Sequence, residues 1–495
     1  MTIENQSFDV IIVGSGYGGL LPAYQLTQAG FKVLLIERGK AWQRNMFRHS
    51  WAPEYLGGLF DISLSTSMKD IYRGSKIFGG GSVMNDKVHH RTPSEAFSFV
   101  DPDTKRAAWP SNVHREALNP FYKQVEELLS IHQLSWEEVS RIGGNFARMF
   151  ADAGLSCDRN NFNVGTGCVH CGFCEAGCQF PGGKLNLVSE VFHLALETGN
   201  LEVKVETSVK TVAPVRSGGY EVHCISSDKS YKAPATSTFT APRVILAAGP
   251  IGTVPLLFRS KAHLPKLSSA LGKWISNNGD MNFILRTPDS YPDHLGFRSA
   301  TSTGVMTYAF WDEHHITMHP GMAPIPVFAG VDARREGGLA WGLEHKHFVK
   351  KNVVNRLIPV NAMGVVPAEI KMEIDHDGNA KIHHPRTKAL EEHANILYRL
   401  MKGVCQTVGG ELLITGIDGE LFDMGGNHIL GGARMSEQKS TGVVNPSGEV
   451  FDYPGLYVSD ASSIPGSLGI NPALTIGANA MRIGHELIRS VGGKP

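Results

Sequence analysis

The stretch that decides the fold runs from Phe8 to Glu37: Phe8-Asp-Val-Ile-Ile-Val13-Gly14-Ser-Gly16-Tyr-Gly-Gly19-Leu20, a helical segment reaching Ala29, then Lys32-Val-Leu-Leu-Ile36-Glu37. Asp9 to Val13 is a short β-branched run, and Gly14, Gly16 and Gly19 follow it at the spacing G-x-G-x-x-G before the helix. The order is strand, tight turn, helix. Gly14 lets the chain turn, Gly16 lets backbone amides approach a pyrophosphate, and Gly19 lets helix and strand pack closely, with the helix N-terminus facing the anion. A second strand then delivers Glu37, 23 positions after Gly14. A carboxylate there suits a ribose hydroxyl and repels the extra phosphate of NADP. The pattern specifies a dinucleotide site and leaves FAD and NAD both open.

The remainder of the chain is consistent with a small-molecule enzyme. At 495 residues, 42% hydrophobic and 19% charged, it carries two or three domains' worth of core. Lys+Arg and Asp+Glu are equal at 47 each, and no basic run stands out, so neither nucleic acid nor an anionic membrane is favoured as a partner. The N-terminus lacks a charged-then-apolar signal and no stretch is long and apolar enough to span a bilayer, which gives a cytoplasmic expectation with no transmembrane segment.

Beyond Glu37, Arg38 to Lys69 has no clear period and reads as a lid or wall. Gly79-Gly80-Gly81-Ser82 to Asn85 offers unhindered backbone amides for a phosphate or a flavin edge, with a plain flexible loop as the alternative. His89 and His90 are adjacent and point to opposite faces of a strand, which argues against a shared metal. Amphipathic helices are expected around Leu118 to Leu129 and from Glu137 to Ala153, and another from Leu187 to Thr198. Strands follow over Leu201 to Val215 and Tyr220 to Ser226. Arg243 to Leu246 is a buried strand ending in Ala247-Ala248-Gly249-Pro250, where a chain can pass close beneath a cofactor. Leu264 to Ile382 reads as a mainly antiparallel sheet with an Asp377-Gly378 hairpin turn, and Lys388 to Val408 as a long helix.

The densest pattern is C-terminal: Asn427-His428 through Arg434, then Leu456 to Ser459 leading to Asp460, then Asn471-Pro472, with a final helix expected over Gly477 to Val491. Asp460 at a strand end lies where an open α/β sheet usually holds a cofactor's polar chain. Asn471-Pro472 begins a helix whose free amides point back at that place. Taken with the first glycine loop, the Gly79 to Asn85 loop, Trp109-Pro110 and Ala247 to Pro250, these residues resemble the glucose-methanol-choline (GMC) family of FAD oxidoreductases, in its cholesterol-oxidase-like branch. The resemblance implies FAD held by Gly14, Gly16, Gly19, Glu37, Gly80, Gly81, Ser82, Asn85, Ala248, Gly249, Asp460, Asn471 and Pro472. It also implies a catalytic pair, His428 and Asn471, that handles the hydroxyl while hydride passes from an alcohol carbon to flavin N5. An isomerising glutamate such as cholesterol oxidases use has no clear counterpart among Glu336, Glu344 and Glu369.

The implied architecture is α/β: a Rossmann-like FAD-binding domain with an inserted substrate domain built on a mainly antiparallel sheet plus helices. The boundaries fall at 1–40, 70–92, 200–260 and 423–495 for the FAD-binding domain, and at 41–69, 93–199 and 261–422 for the substrate domain. Tyr308, Phe310, Trp311, Phe328 and Trp341 in the insert lean toward a partly apolar small-molecule alcohol, with oxygen or an external electron acceptor to reoxidise the flavin. A carbohydrate dehydrogenase of the same fold, an electron-transfer flavoprotein module and a non-redox enzyme keeping FAD as scaffold are the rival readings.

Seven cysteines are an odd number for a disulfide framework, and Cys168, Cys171, Cys174 and Cys178 fall within one loop at C-x2-C-x2-C-x3-C. That spacing matches ferredoxin-type iron–sulfur loops, although the proline lags at Pro181. An iron–sulfur cluster, zinc and metal-free thiols stay open on spacing alone.

Overall fold

Val10–Val13 and Val33–Ile36 are apolar at every position and buried throughout, the mark of strands covered on both faces. They lie at the centre of a parallel sheet whose order is Leu201–Lys204, Val33–Ile36, Val10–Val13, Arg243–Leu246, Leu456–Val458. Val10 pairs with Val33 on one side and Arg243 on the other, and Val244 with Leu456. The structure is a computed structural model that describes residues 7–226, 235–294, 302–322, 342–353, 355–413 and 423–493. The opening helix Tyr17–Gln28 packs against the closing helix Ala473–Ser490, which also packs on Arg115–Leu128.

A second, nine-stranded sheet runs Phe60–Leu64, Ile71–Ser75, Asp423–Gly426, Met281–Arg286, Leu357–Gly364, Ile316–Pro320, Val305–Phe310, Asp158–Arg159, with Glu411–Leu413 also on Met281–Arg286. Its pairings are antiparallel except for Asp423–Gly426 beside Ile71–Ser75. The helix Lys388–Val408 lays Leu390, Leu397, Met401 and Val404 into a core with Phe146, Phe150, Phe283 and Met318. The Thr387 hydroxyl caps its first turn and Gly409, at φ 77°, ends it. The expected hairpin joins Lys371–Ile374 to Ala380–His383.

Several elements differ from their sequence-based bounds. The closing helix begins at Ala473 rather than Gly477. Gly477 is interior, where a Cβ would lie 3.0 Å from Leu21 Cδ1, so that glycine serves close helix packing and not a helix start. Glu137 to Ala153 divides into a turn at Trp136–Glu138 and a helix Arg141–Asp152 capped by Ser140. Leu187 to Thr198 is two short helices, Leu187–Glu190 and Phe192–Glu197. The region Arg38 to Lys69 contains the strand Phe60–Leu64. Segments 70–92 and 423–495, assigned by sequence to the FAD-binding domain, each lend a strand to the second sheet, Ile71–Ser75 and Asp423–Gly426. Those two strands carry the chain from one sheet to the other beside the site described next. Among the described residues no helix is long and apolar enough to cross a membrane. Glu336, Phe328 and Trp341 lie outside the described residues.

Candidate active site

Three segments far apart in sequence close around the first glycine turn. Gly14 has φ 104°, and a Cβ there would lie 2.3 Å from Ala247 O; one on Gly19 would lie 1.9 Å from Gly14 O. Both glycines are demanded by the protein's own packing. Gly16 is different: its φ is an ordinary −75° and a Cβ there meets nothing within 4 Å. Gly16 also starts the opening helix with no side-chain cap, leaving first-turn amides free for an anion. The second glycine loop lies on the first, Gly79 N–H donating to Ser15 Oγ at 2.9 Å and Ser82 Oγ to Gly79 O at 2.6 Å. Gly80, at φ 53°, packs directly on Gly16, and Gly81 opens a short helix that ends before Asn85. Asn85 Nδ2 donates to the Tyr17 hydroxyl at 3.0 Å.

Glu37 is buried and accepts from Ser15 Oγ at 2.6 Å, Ser15 N at 3.1 Å and Gly39 N at 2.7 Å. A carboxylate has about four acceptor places, so one is left for a ligand hydroxyl. Asp460 ties the C-terminal block to the preceding strand end: it accepts from Gly249 N at 2.7 Å, Thr253 Oγ1 at 2.6 Å and Ser462 N at 2.8 Å. Burial pushes its carboxyl up, opposed by those hydrogen bonds. Ala248 N–H donates to the same Thr253 hydroxyl.

The second cluster is built where the two sheets meet. His428 follows the strand Asp423–Gly426, and its Nδ1 lies 2.8 Å from Asp280 Oδ1. Asp280, fully buried, sits just before the strand Met281–Arg286. The Nε2 of His428 is 3.4 Å from Asn471 Nδ2, and a second imidazole, His319 Nε2, lies 3.5 Å from the same amide nitrogen. Asn471 Oδ1 is buried without a hydrogen-bond partner among the described residues. Asn278 holds the arrangement from below, accepting from Leu468 N and Gly469 N at 2.7 and 3.0 Å and donating to Ile470 O at 2.9 Å. Pro472 then leads into the closing helix, whose first turn has no side-chain cap.

The structure therefore brings together His428 and Asn471, the pair that the family resemblance implies. Asp280, Asn278 and His319 come from no motif. Of the candidate isomerising glutamates, Glu344 is exposed and Glu369 accepts from Thr387 Oγ1.

The cysteine loop lies beside this region. Its cysteines form no disulfide among the described residues: Lys87 Nζ is 3.5 Å from Cys168 Sγ, while Cys178 Sγ is directed at Phe180 O. Lys184, fully buried, donates to the carbonyls of Val83, Asn85 and Cys174, and burial lowers its ammonium to about 8. Among the described residues no three His, Cys, Asp or Glu side chains are placed to hold a metal ion. Glu175, within the loop, accepts from Arg73 Nη1 at 2.9 Å, and Arg73 Nε donates to Asn427 Oδ1 at 2.8 Å, next to His428.

Residues 11–273 match the model of the N-terminal GMC oxidoreductase domain, and residues 417–480 that of the C-terminal one. The chain belongs to the GMC oxidoreductase family. It is an FAD-dependent oxidoreductase acting on alcohol groups. Among relatives of this GMC oxidoreductase, a cholesterol oxidase of Mycobacterium tuberculosis (strain ATCC 25618 / H37Rv) is 26% identical over 96% of this chain and 90% of its own length. A long-chain-alcohol oxidase of Arabidopsis thaliana is 24% identical over 97% of this chain and 68% of its own. The crystal structure of pyridoxine 4-oxidase from Mesorbium loti shares the fold with a TM-score of 0.71 at 15% identity, covering 98% of this chain and 99% of that one. The residues described suit FAD: the uncapped start at Gly16 is of the kind that takes a pyrophosphate, the spare acceptor place on Glu37 would suit a ribose hydroxyl, and the uncapped closing helix would suit an electron-rich ring.

Proposed function

We propose that this GMC oxidoreductase oxidises a partly apolar alcohol to a carbonyl compound, with His428 as the base that takes the hydroxyl proton and Asn471 as its partner. The observation that carries this reading is the contact of His428 with both Asp280 and Asn471. Asp280 accepts the proton on Nδ1 and so leaves Nε2 bare, the nitrogen that faces Asn471. A substrate oxygen between Nε2 and the Asn471 amide gives its proton to the imidazole and receives an N–H bond that strengthens as negative charge grows on it. FAD, when bound, supplies the hydride acceptor. The protein's part is to hold the carbon in place, keep the imidazole in one tautomer and stabilise charge on oxygen.

The names of the relatives, a cholesterol oxidase and a long-chain-alcohol oxidase, support an apolar rather than a sugar substrate. Reoxidation falls to oxygen or an external acceptor. The same reading assigns Gly14, Gly16, Gly19 and Glu37 to the adenosine and pyrophosphate end of FAD, and Gly80, Gly81, Ser82, Asn85, Asn471 and Pro472 to the flavin end. The cysteine loop forms no disulfide among the described residues and packs against the buried Lys87 and Lys184; analysis of anaerobically purified protein for iron, zinc and acid-labile sulfide tests whether it holds a metal.

The deciding experiment is an anaerobic visible spectrum with sterols, long-chain alcohols and sugars. An alcohol of the first two classes should bleach the flavin of the wild-type protein. In His428→Ala the bleaching should slow by orders of magnitude with FAD content unchanged; near-normal bleaching would reject the catalytic role.

A further inference from the structure

Asn471 uses one amide nitrogen toward two imidazoles. His428 Nε2 is 3.4 Å from it and His319 Nε2 is 3.5 Å from it, whereas Asn471 Oδ1 is buried with no hydrogen-bond partner among the described residues. A primary amide has two nearly isosteric orientations, separated only by what its two ends bond. Among the described residues nothing anchors the Asn471 oxygen. The orientation of the amide is therefore set from its nitrogen side.

His428 cannot set it alone. Its bare Nε2 is the acceptor that the substrate hydroxyl needs, so a substrate oxygen entering between the two residues takes over that contact. The other amide hydrogen must then be held elsewhere, and His319 Nε2 is the acceptor in reach. His319 lies on the strand Ile316–Pro320 opposite Asn361, and only 3% of it is exposed. Its Nδ1 is 3.4 Å from both Pro320 O and Ser302 Oγ, two groups that can accept a proton from Nδ1. That places the hydrogen on Nδ1 and leaves Nε2 bare. Burial, with a lesser contribution from His428, lowers its imidazolium to about 4, so it is neutral near pH 7.

We propose that His319 is a positioning residue for alcohol oxidation: by accepting one amide hydrogen of Asn471, it forces the other onto the substrate oxygen and keeps the amide carbonyl away from it. Without that acceptor the amide can turn over and present Oδ1 to an oxygen acquiring negative charge. The turned orientation would oppose the reaction where the native one assists it. The inference rests on the assignment of His428 and Asn471 to the substrate hydroxyl.

The test compares His319→Leu, which removes the acceptor, with His319→Gln, which can restore one, alone and combined with Asn471→Ala. In anaerobic flavin bleaching by 1-octanol or detergent-dispersed cholesterol, H319L should be slower by about 10- to 100-fold, short of the loss expected when a charge-stabilising donor is deleted outright. H319Q should recover most of the rate, and H319L/N471A should be no slower than N471A, because His319 acts through Asn471. Equal losses in H319L and H319Q, or additive losses in the double variant, would overturn the proposal, as would a wild-type rate in H319L. A slow His428→Ala with a normal H319L would leave the catalytic reading standing and reject only His319. Should neither alcohol bleach the wild-type flavin, the ring 15N spectrum of histidine-labelled holoenzyme decides, the His319 signal being assigned by its loss in H319Q. His319 should be the neutral tautomer with hydrogen on Nδ1; hydrogen on Nε2 would reject the proposal.

Discussion

Asp280 Oδ1 lies 2.8 Å from Nδ1 of His428, and the other oxygen of the same carboxylate accepts the backbone N–H of His428 at 3.2 Å. One buried group thus fixes both the position and the tautomer of the imidazole. Replacing it with an amide keeps the shape but can donate to Nδ1, which moves the imidazole hydrogen to Nε2 and blocks the base. Asp280→Asn should retain FAD and slow anaerobic flavin reduction by about 10²- to 10⁴-fold, the scale seen when a carboxylate that sets a catalytic tautomer is neutralised. Stopped-flow bleaching measures this directly. A near-wild-type rate would mean that Asp280 serves folding alone.

The glycines of the first turn separate packing from cofactor contact. A Cβ on Gly19 would stand 1.9 Å from Gly14 O, so Gly19→Ala must displace backbone and should yield little folded protein. Gly16→Ala meets no protein atom within 4 Å at a residue with ordinary φ. It should keep its far-UV dichroism and yet bind FAD about 10-fold more weakly or worse, because the new methyl group occupies the approach to the uncapped helix start. Flavin content per chain after dialysis reads the effect. Full flavin retention in Gly16→Ala would move the pyrophosphate away from this turn.

Arg73 joins the cysteine loop to Asn427, the neighbour of His428, donating to Glu175 at 2.9 Å and to Asn427 Oδ1 at 2.8 Å. Its guanidinium is partly exposed, so its ion pair alone contributes little to stability. Its value is positional: Asn427 is the residue before His428. Arg73→Gln should lose about 1–2 kcal/mol of positioning, a 5- to 30-fold slower flavin reduction, with FAD content and melting temperature nearly unchanged. An unchanged rate would show that Asn427 is held well enough by the strand before it.

Most of the architecture was legible because its signals are local. Val10–Val13 and Val33–Ile36 are apolar at every position since both sheet faces are covered, and the Lys388–Val408 helix shows its spacing because one face alone meets the core. The closing helix was cut short at Gly477 because a glycine needed for contact with Leu21 looks, in sequence, like a boundary. Asp280, Asn278 and His319 carried no signal, since each acquires its partner only when turns some 150 to 190 residues apart in sequence are brought together.

Asp70 is almost fully buried, beside Arg386 at 2.9 Å and His384 at 3.3 Å. Burial pushes its carboxyl up, but His384, Ser65 and Arg386 outweigh that and hold it down at about 2, against an ordinary value of 3.8. A group depressed in the folded state contributes stability that is present above its unfolded pKa and is lost as pH falls through the folded one, so the window is from about pH 4 down to about pH 2. The shift of roughly two units corresponds to about 2–3 kcal/mol, delivered at neutral pH and absent in strong acid. Asp70→Asn should therefore be less stable than the wild type at pH 6 in urea titrations, and the gap should narrow steadily between pH 4 and the acid limit of the folded state. A gap that stays constant with pH would assign the loss to packing around Tyr72 and His384 rather than to the charge on Asp70.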